Sequence, residues 1–372
     1  MPAPLTAEQR RGMLRRGGER VLGRWWRGEP GHGSALLELL LAPAEAVYRL
    51  GNMAYHGAYT RRLLPVQRAR VPVISVGNLE VGGTGKTPVT RWLVEELRRR
   101  RARPAVLHGG YAEDEPRLHR AWYPDVPVIV GRDRVRSAAL AAEAGADVVV
   151  LDDGFQHRRL ARDLDLVLVA AESWTRRPRL LPRGPWREPP HALSRAGVVA
   201  VARWDDDDAR AAHVAGEVAA CAPGALVLEL RLEPGGWLTA GLDAPAHPPV
   251  GPAVGVAGVA YPERFFRDVR RQGVELRDAL AFPDHHEYSA RELQRIRELA
   301  AGRPVVTTAK DAVKLRYARP GLDLCVLDQR VHVTGAEGLG ALLDALLSPG
   351  PGQRHQRDRA SGERLAGPGR NA

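Results

Sequence analysis

The stretch 71–97, VPVISVGNLEVGGTGKTPVTRWLVEEL, constrains the fold more than any other part of this 372-residue chain. Residues 71–76 are short, β-branched and apolar, which predicts a buried strand. Residues 77–85 form a glycine-bearing loop, and a helix is predicted from Thr87 on, with Pro88 tolerated in its first turn. Strand, glycine loop, Lys-Thr and helix together make a phosphate cradle. Small residues let backbone N–H groups face an anion, and the helix N-terminus adds its dipole. Gly82, Gly83, Thr84, Gly85, Lys86 and Thr87 are the nucleotide-binding candidates. Lys86 would reach the β- and γ-phosphates and Thr87 would ligate Mg²⁺. The strict pattern G-x-x-x-x-G-K-[ST] is not met, because Glu80 stands where its first glycine belongs. A glycine turn that merely starts a helix is the simpler alternative. Composition counts against it: Lys86, Lys310 and Lys314 are the only three lysines among 55 basic residues. An arginine-using chain that keeps lysine here keeps a compact ammonium where a planar guanidinium would not fit.

The chain is long enough for two domains with real cores. Its apolar fraction of 44% and charged fraction of 27% are those of an ordinary globular protein. The net charge of +11 is concentrated at the ends: residues 1–33 carry seven Arg against three acids, and 349–372 carry five against two. Both ends read as basic, poorly ordered tails. No nucleic-acid module accompanies the charge, so an anionic membrane surface or plain solubility explains it better. Two cysteines, Cys221 and Cys325, without metal spacing fit a reducing compartment. Neither a signal peptide nor a run long enough to span a bilayer is evident.

Residues 34–65 form a separate helical segment. Leu36, Leu37, Leu40, Leu41, Ala44, Val47 and Tyr48 recur at helical spacing, with Trp25 and Trp26 among arginines ahead of them. The segment is either an interfacial amphipathic helix or a helix packed on the protein's own core. Pro43 argues against one continuous straight helix. From 71 on, strands and helices alternate. Strands are predicted at 71–76, 104–108, 127–130, 147–151, 165–170 and 197–202, and helices at 87–100, 133–144 and 189–195. This predicts a doubly wound α/β core over 66–224, with ligands at the carboxyl ends of its strands. The four aspartates at 205–208 read as a solvated loop or helix start. Residues 225–250 read as a linker, with a strand-like stretch at 226–232. A smaller α/β domain over 251–347 follows: strands at 254–259, 276–281, 304–308 and 323–327, and helices at 262–272, 289–301 and 336–347. The tail begins at 348.

Five further strings carry chemistry. DVVVLDDGFQH at 147–157 ends a buried strand in two carboxylates, where a P-loop protein places the acid that holds Mg²⁺. If the strand continues, Asp152 and Asp153 point to opposite sides and have different jobs; a helix cap would need only one of them. Asp114 and Glu115, in YAEDEP, sit on a predicted loop where one acid would orient an attacking hydroxyl. AFPDHHEY at 281–288 offers an Asp-His pair in which a carboxylate fixes an imidazole tautomer. LLPRGPWREP at 180–189 places Arg183 and Arg187 on a shaped loop able to clamp phosphate. TTAKDAVKL at 307–315 holds the other two lysines.

These strings, with VGRDRV at 130–135 and GVAGVAYPERFF at 255–266, occur in an order that resembles the tetraacyldisaccharide 4′-kinases of lipid A biosynthesis over about residues 35–345. The resemblance implies a P-loop NTPase-like, ATP- and Mg²⁺-dependent kinase at the cytoplasmic face of the bacterial inner membrane. Its acceptor would be the 4′-hydroxyl of a lipid A disaccharide precursor, and 34–65 would contact the bilayer. By motif, Asp114 matches the family's proposed base and His285 its partner. Asp152, Asp153, Gln156 and His157 match the second nucleotide and metal motif, and Arg187 and Glu188 the Arg-Glu pair of the RLLP loop. Three departures stand out. The family's S-R-G-Y-G is HGGY here, with Gly109 for the arginine. Only Ala112 and Glu113 separate Tyr111 from DEP, where the family has a longer loop. TAKD replaces T-E-K-D, with Ala309 for the glutamate. Two rival readings remain beside the kinase: a nucleotide-binding membrane scaffold with weakened catalysis, suggested by the shortened loop, and a soluble small-molecule sugar kinase.

Overall fold

The computed structural model describes Trp26 and residues 34–110, 113–316 and 321–348. Apart from Trp26 and Ser348, both expected tails lie outside the described residues, as do Tyr111 and Ala112 of the shortened loop.

The chain opens with helix α1 (Ser34–Thr60). Strand β1 (Val73–Asn78) leads through the glycine loop into α2 (Lys86–Arg99). Then come β2 (Pro104–His108), α3 (Asp114–Trp122), β3 (Val128–Val130), α4 (Arg134–Glu143), β4 (Val148–Asp152) and β5 (Leu164–Ala170). After a 3₁₀ turn at Pro190–Arg195 follow β6 (Val198–Arg203), α5 (Asp208–Cys221), β7 (Leu226–Leu238) and the short β8 (Pro245–Ala246). The last part is β9 (Ala253–Ala257), α6 (Pro262–Arg271), β10 (Leu276–Ala281), α7 (Ala290–Ala300), β11 (Val305–Thr308), α8 (Ala309–Leu315), β12 (Leu324–Thr334) and α9 (Ala336–Leu347).

All of these strands join one sheet, in the order β10-β9-β11-β12-β7-β6-β5-β1-β4-β2-β3, with β8 on β7. Its pairs are parallel except β12 with β7 and β7 with β8. Strands β1, β4, β5 and β6 are buried on both faces, which is why they read as unbroken apolar runs. Helix α2 packs Val89, Leu93, Val94 and Leu97 onto one face, and Ala138 and Ala141 of α4 cover β2 and β4 on the other.

The stretch expected as a linker is different in kind. Strand β7 pairs in parallel with β6 and antiparallel with β12, so it joins the two halves within one sheet. Pro234, Gly235 and Gly236 look like a turn in sequence. They are taken up by a register shift against Asp328 and Gln329, and a side chain at 235 would meet Arg330 Cγ at 2.4 Å. Helices α3 and α8 are not predicted from the sequence, and α5 is anticipated only as one of the two readings of the aspartate run. Asp207 caps α5, so the aspartate run is a helix start. Helix α1 runs through Pro43, contrary to expectation; the proline lies on the exposed side.

Candidate active site

Strand β1 is an interior strand flanked by β4 and β5, and its carboxyl end delivers the glycine loop beside the end of β4, with Val76 in register with Asp152. Gly85 adopts φ 84°, and a Cβ there would lie 2.9 Å from Leu232 Cδ2, so glycine is required. Glu80, in place of the first motif glycine, needs no unusual backbone. It bridges to Trp186, and its buried carboxylate accepts the Ser173 hydroxyl at 2.7 Å. The loop is strapped down by the RLLP segment: Val81 N–H donates to Pro185 O at 2.7 Å, and Arg187 N–H to Leu79 O at 2.7 Å. Asn78 Nδ2 donates to Thr84 Oγ1 at 2.7 Å.

The two aspartates after β4 do diverge, by a route the sequence did not show. Asp153 turns into the left-handed region at φ 58°. There it takes Arg187 Nη1 on both oxygens at 2.9 Å and lies 3.7 Å from Lys86 Nζ. Burial would raise its pKa, but Lys86 and Arg187 overcome that and lower it. Asp152 turns inward to His119 Nε2 at 3.3 Å, with His108 Nδ1 at 3.9 Å. Burial again works upward, and the His119 hydrogen bond together with the charges of the histidines and Lys86 outweighs it, taking Asp152 down to about 2. Burial lowers His108 to about 3, so it is a neutral imidazole. These three buried residues bring ligand atoms within 4.8 Å of one another. Neither histidine was singled out in the sequence.

Glu115 and Asp114 occupy the first turn of α3, where acids favour the helix dipole. Glu115 Oε1 accepts from Thr87 Oγ1 at 3.4 Å. Its pKa is raised, first by burial and then by the negative charge of Asp152. Asp114 faces the other half of the protein, and His285 Nδ1 donates to its oxygens at 3.0 and 3.1 Å. Lys314 Nζ lies 3.6 Å and Lys310 Nζ 3.9 Å from Asp114. Burial pulls its pKa up, but His285 and the lysines hold the carboxyl well below the usual carboxylate range. His285 is itself held in the left-handed region at φ 56°. Lys310 is a hub, 3.0 Å from Asp284 Oδ1, 3.1 Å from His285 Nε2 and 3.8 Å from Glu115 Oε1. The rarity of lysine had signalled its segment.

Gln156 joins the cluster, accepting from Arg187 Nη1 at 3.3 Å and donating to Glu188 Oε1 at 3.1 Å. Glu188 itself turns away from the loop: it is buried against Arg195 at 2.9 Å and His56 at 3.1 Å. His157 is drawn off too. It sits among Arg134, Arg159 and Arg162, and burial with their charges lowers its pKa.

The family model of the LpxK tetraacyldisaccharide-1-P 4′-kinases matches residues 37–348. The chain belongs to that family. A tetraacyldisaccharide 4′-kinase of Anaeromyxobacter dehalogenans (strain 2CP-C) is 41% identical over 320 residues, covering 78% of this chain and 85% of the relative. One from Anaeromyxobacter sp. (strain Fw109-5) is 40% identical over 360 residues, covering 88% and 96%. The crystal structure of Aquifex aeolicus LpxK in complex with ATP superposes with a TM-score of 0.68 at 25% identity, covering 84% of this chain and 99% of that one. The tetraacyldisaccharide 4′-kinase family accounts for the strand–loop–helix core, and the P-loop NTPase-like α/β fold expected from the sequence holds. The activity is that of a kinase of lipid A biosynthesis.

Proposed function

We propose that this protein transfers the γ-phosphoryl group of ATP to the 4′-hydroxyl of a tetraacyldisaccharide 1-phosphate lying in a membrane surface, with the residues around the glycine loop in the following roles. The backbone of 82–87 and Lys86 hold the phosphates. Arg187, braced by Asp153, offsets charge on the transferred group. Asp114 orients the acceptor hydroxyl and takes its proton, with His285 stabilising the carboxylate. A carboxylate held this far down is a weak base, which suits a loose phosphoryl-transfer transition state in which positioning matters more than proton abstraction. The observation that carries this reading is the spacing of two adjacent acids. Glu115 reaches the motif threonine on one side, while Asp114 meets His285 on the other.

Thr87, Glu115 and Asp152 form the best Mg²⁺ set. All offer oxygen, and the raised pKa of Glu115 beside Asp152 marks two carboxylates that a hard cation would relieve. Bound there, Mg²⁺ would neutralise charge between the β- and γ-phosphates. The sequence left both aspartates open as ligands; Asp153 is engaged by Arg187 and Lys86, so Asp152 takes that role.

Helix α1 supports the membrane setting over a soluble kinase. It is turned inside out: Glu45, Tyr48, Asn52 and His56 face the protein, while Leu36, Leu39, Leu40, Val47, Leu50 and Met53 are 61–71% exposed. Such a stripe calls for an apolar neighbour. No helix among the described residues is long and apolar enough to cross a membrane; we read α1 as lying along the cytoplasmic surface, the side that supplies ATP. The intact Asp114–His285 pair favours a working enzyme over a weakened scaffold. The test is to incubate purified protein with γ-labelled ATP, Mg²⁺ and the lipid disaccharide in bilayer mimic. A labelled 4′-phosphomonoester is expected; label remaining in ATP, or appearing only on a soluble sugar, would overturn the reading.

A further inference from the structure

Helix α1 does more than lie beside the catalytic half. Tyr48 Oη donates to the backbone carbonyl of Arg187 at 3.0 Å, and Asn52 Nδ2 donates to the same oxygen at 3.1 Å. Two side chains one turn apart thus fill both lone pairs of one carbonyl. The N–H of the same residue is tied to Leu79, just ahead of the glycine loop. Arg187 is therefore fixed from both sides of its Cα, and its guanidinium holds Asp153 in a left-handed backbone that needs restraint from its surroundings. Asp153 in turn faces Lys86. A continuous set of contacts runs from α1 to the phosphate-binding lysine.

The grip of α1 on this segment is largely polar. Besides Tyr48 and Asn52, Glu45 accepts the Leu180 N–H at 2.9 Å. His56 meets Glu188 at 3.1 Å, and burial lowers its pKa to about 4, so it does so as a neutral donor. The apolar side of the helix points the other way. A helix normally fixes its pose by burying its apolar stripe; here the pose depends on what covers the outward stripe.

Resting on the reading of Arg187 as the phosphate clamp and α1 as the membrane face, we propose that Tyr48 and Asn52 are positioning residues. Through them, seating α1 on a lipid surface sets the Arg187 backbone. Lipid contact then raises the rate of phosphoryl transfer itself, in addition to presenting the lipid-borne acceptor.

The test uses the full chain and a Tyr48→Phe/Asn52→Leu variant, with and without vesicles of phosphatidylethanolamine and phosphatidylglycerol. Flotation reports binding, hydrogen–deuterium exchange reports the 180–188 backbone, and steady-state kinetics separate kcat from KM for the acceptor in vesicles. For the wild type, vesicles are expected to slow exchange at 180–188 by about fivefold or more, the scale of one hydrogen bond. The variant should still float, show no vesicle-dependent change at 180–188, and lose kcat about fivefold with KM for the acceptor unchanged. Partial misfolding would lower the active fraction but would not erase the vesicle-dependent exchange difference. A second variant, Val47→Ser/Leu50→Ser, should lose flotation and that difference together. Wild-type exchange indifferent to bound vesicles, or a variant that keeps the full vesicle effect, would overturn the proposal. Absence of phosphoryl transfer by the wild type would instead overturn the functional reading beneath it.

Discussion

Replacing Lys310 with Met removes the cation shared by Asp284, Glu115 and Asp114 while keeping the stem's bulk. Its ammonium lies 3.8 Å from Glu115 and 3.9 Å from Asp114, with only 17% of the side chain exposed. At such separations an effective dielectric near 20 gives about 4 kcal/mol per pair. Allowing for relaxation and entering water, about half survives, which corresponds to roughly 1.5 pKa units on Glu115. Glu115 already sits above the ordinary glutamate value, from burial and from Asp152. Losing Lys310 moves it further in the same direction. The ionised form needed for Mg²⁺ is then lost sooner as pH falls, so the acid limb of Mg²⁺-dependent turnover moves up by about 1 to 2 units. The lysine's own pKa is raised, chiefly by Asp284 against burial. Its contribution to stability is therefore constant below its unfolded value and fades only in strong alkali, clear of the measured window. The assay is kcat/KM for ATP from pH 5 to 9 at subsaturating Mg²⁺, with thermal melts to confirm folding and Lys310→Arg to restore charge. Superposed profiles for wild type and Lys310→Met, or a shift towards acid, would refute the electrostatic account.

Lys86→Met should abolish measurable transfer while leaving the melting temperature within a few degrees, since its nearest acid, Asp153, keeps Arg187; a variant with near-normal kcat would remove lysine from the phosphate site. His119→Phe deletes the donor that fixes Asp152, so the Mg²⁺ concentration for half-maximal rate should rise about tenfold, the lower end for an outer-shell partner; Mg²⁺ titration of initial rates checks it.

How much of this was readable beforehand depended on distance along the chain. The phosphate loop is local: apolar run, glycines, Lys-Thr and helix all lie within 71–97, and each piece formed. The Asp114–His285 pair is separated by 171 positions, and only the family resemblance linked them. Only the first half of strand β7, at 226–232, is legible in the sequence, because Pro234, Gly235 and Gly236 carry turn chemistry while the register shift that absorbs them is supplied by β12. The helix at Ala309–Leu315 is too short to show a period, and Thr308, which caps it through the Asp311 N–H at 3.1 Å, also ends a strand. His108 and His119 lie on different elements and meet only when β2 and α3 fold onto β4. In α1 the periodicity was visible, but it could not say which face turns inward. The polar bonds of Glu45, Tyr48 and Asn52 to the RLLP loop decide that.

The central claim is that Asp114 serves the transfer step rather than nucleotide binding, and Asp114→Asn tests it most directly. Single-turnover transfer to the disaccharide and equilibrium ATP binding are measured on the same folded preparation. Transfer slowed by about 10²- to 10⁴-fold, the range for loss of a general base, with ATP affinity within a few-fold of wild type, is the predicted result. Transfer at close to the wild-type rate, or a loss explained wholly by weaker ATP binding, would contradict it.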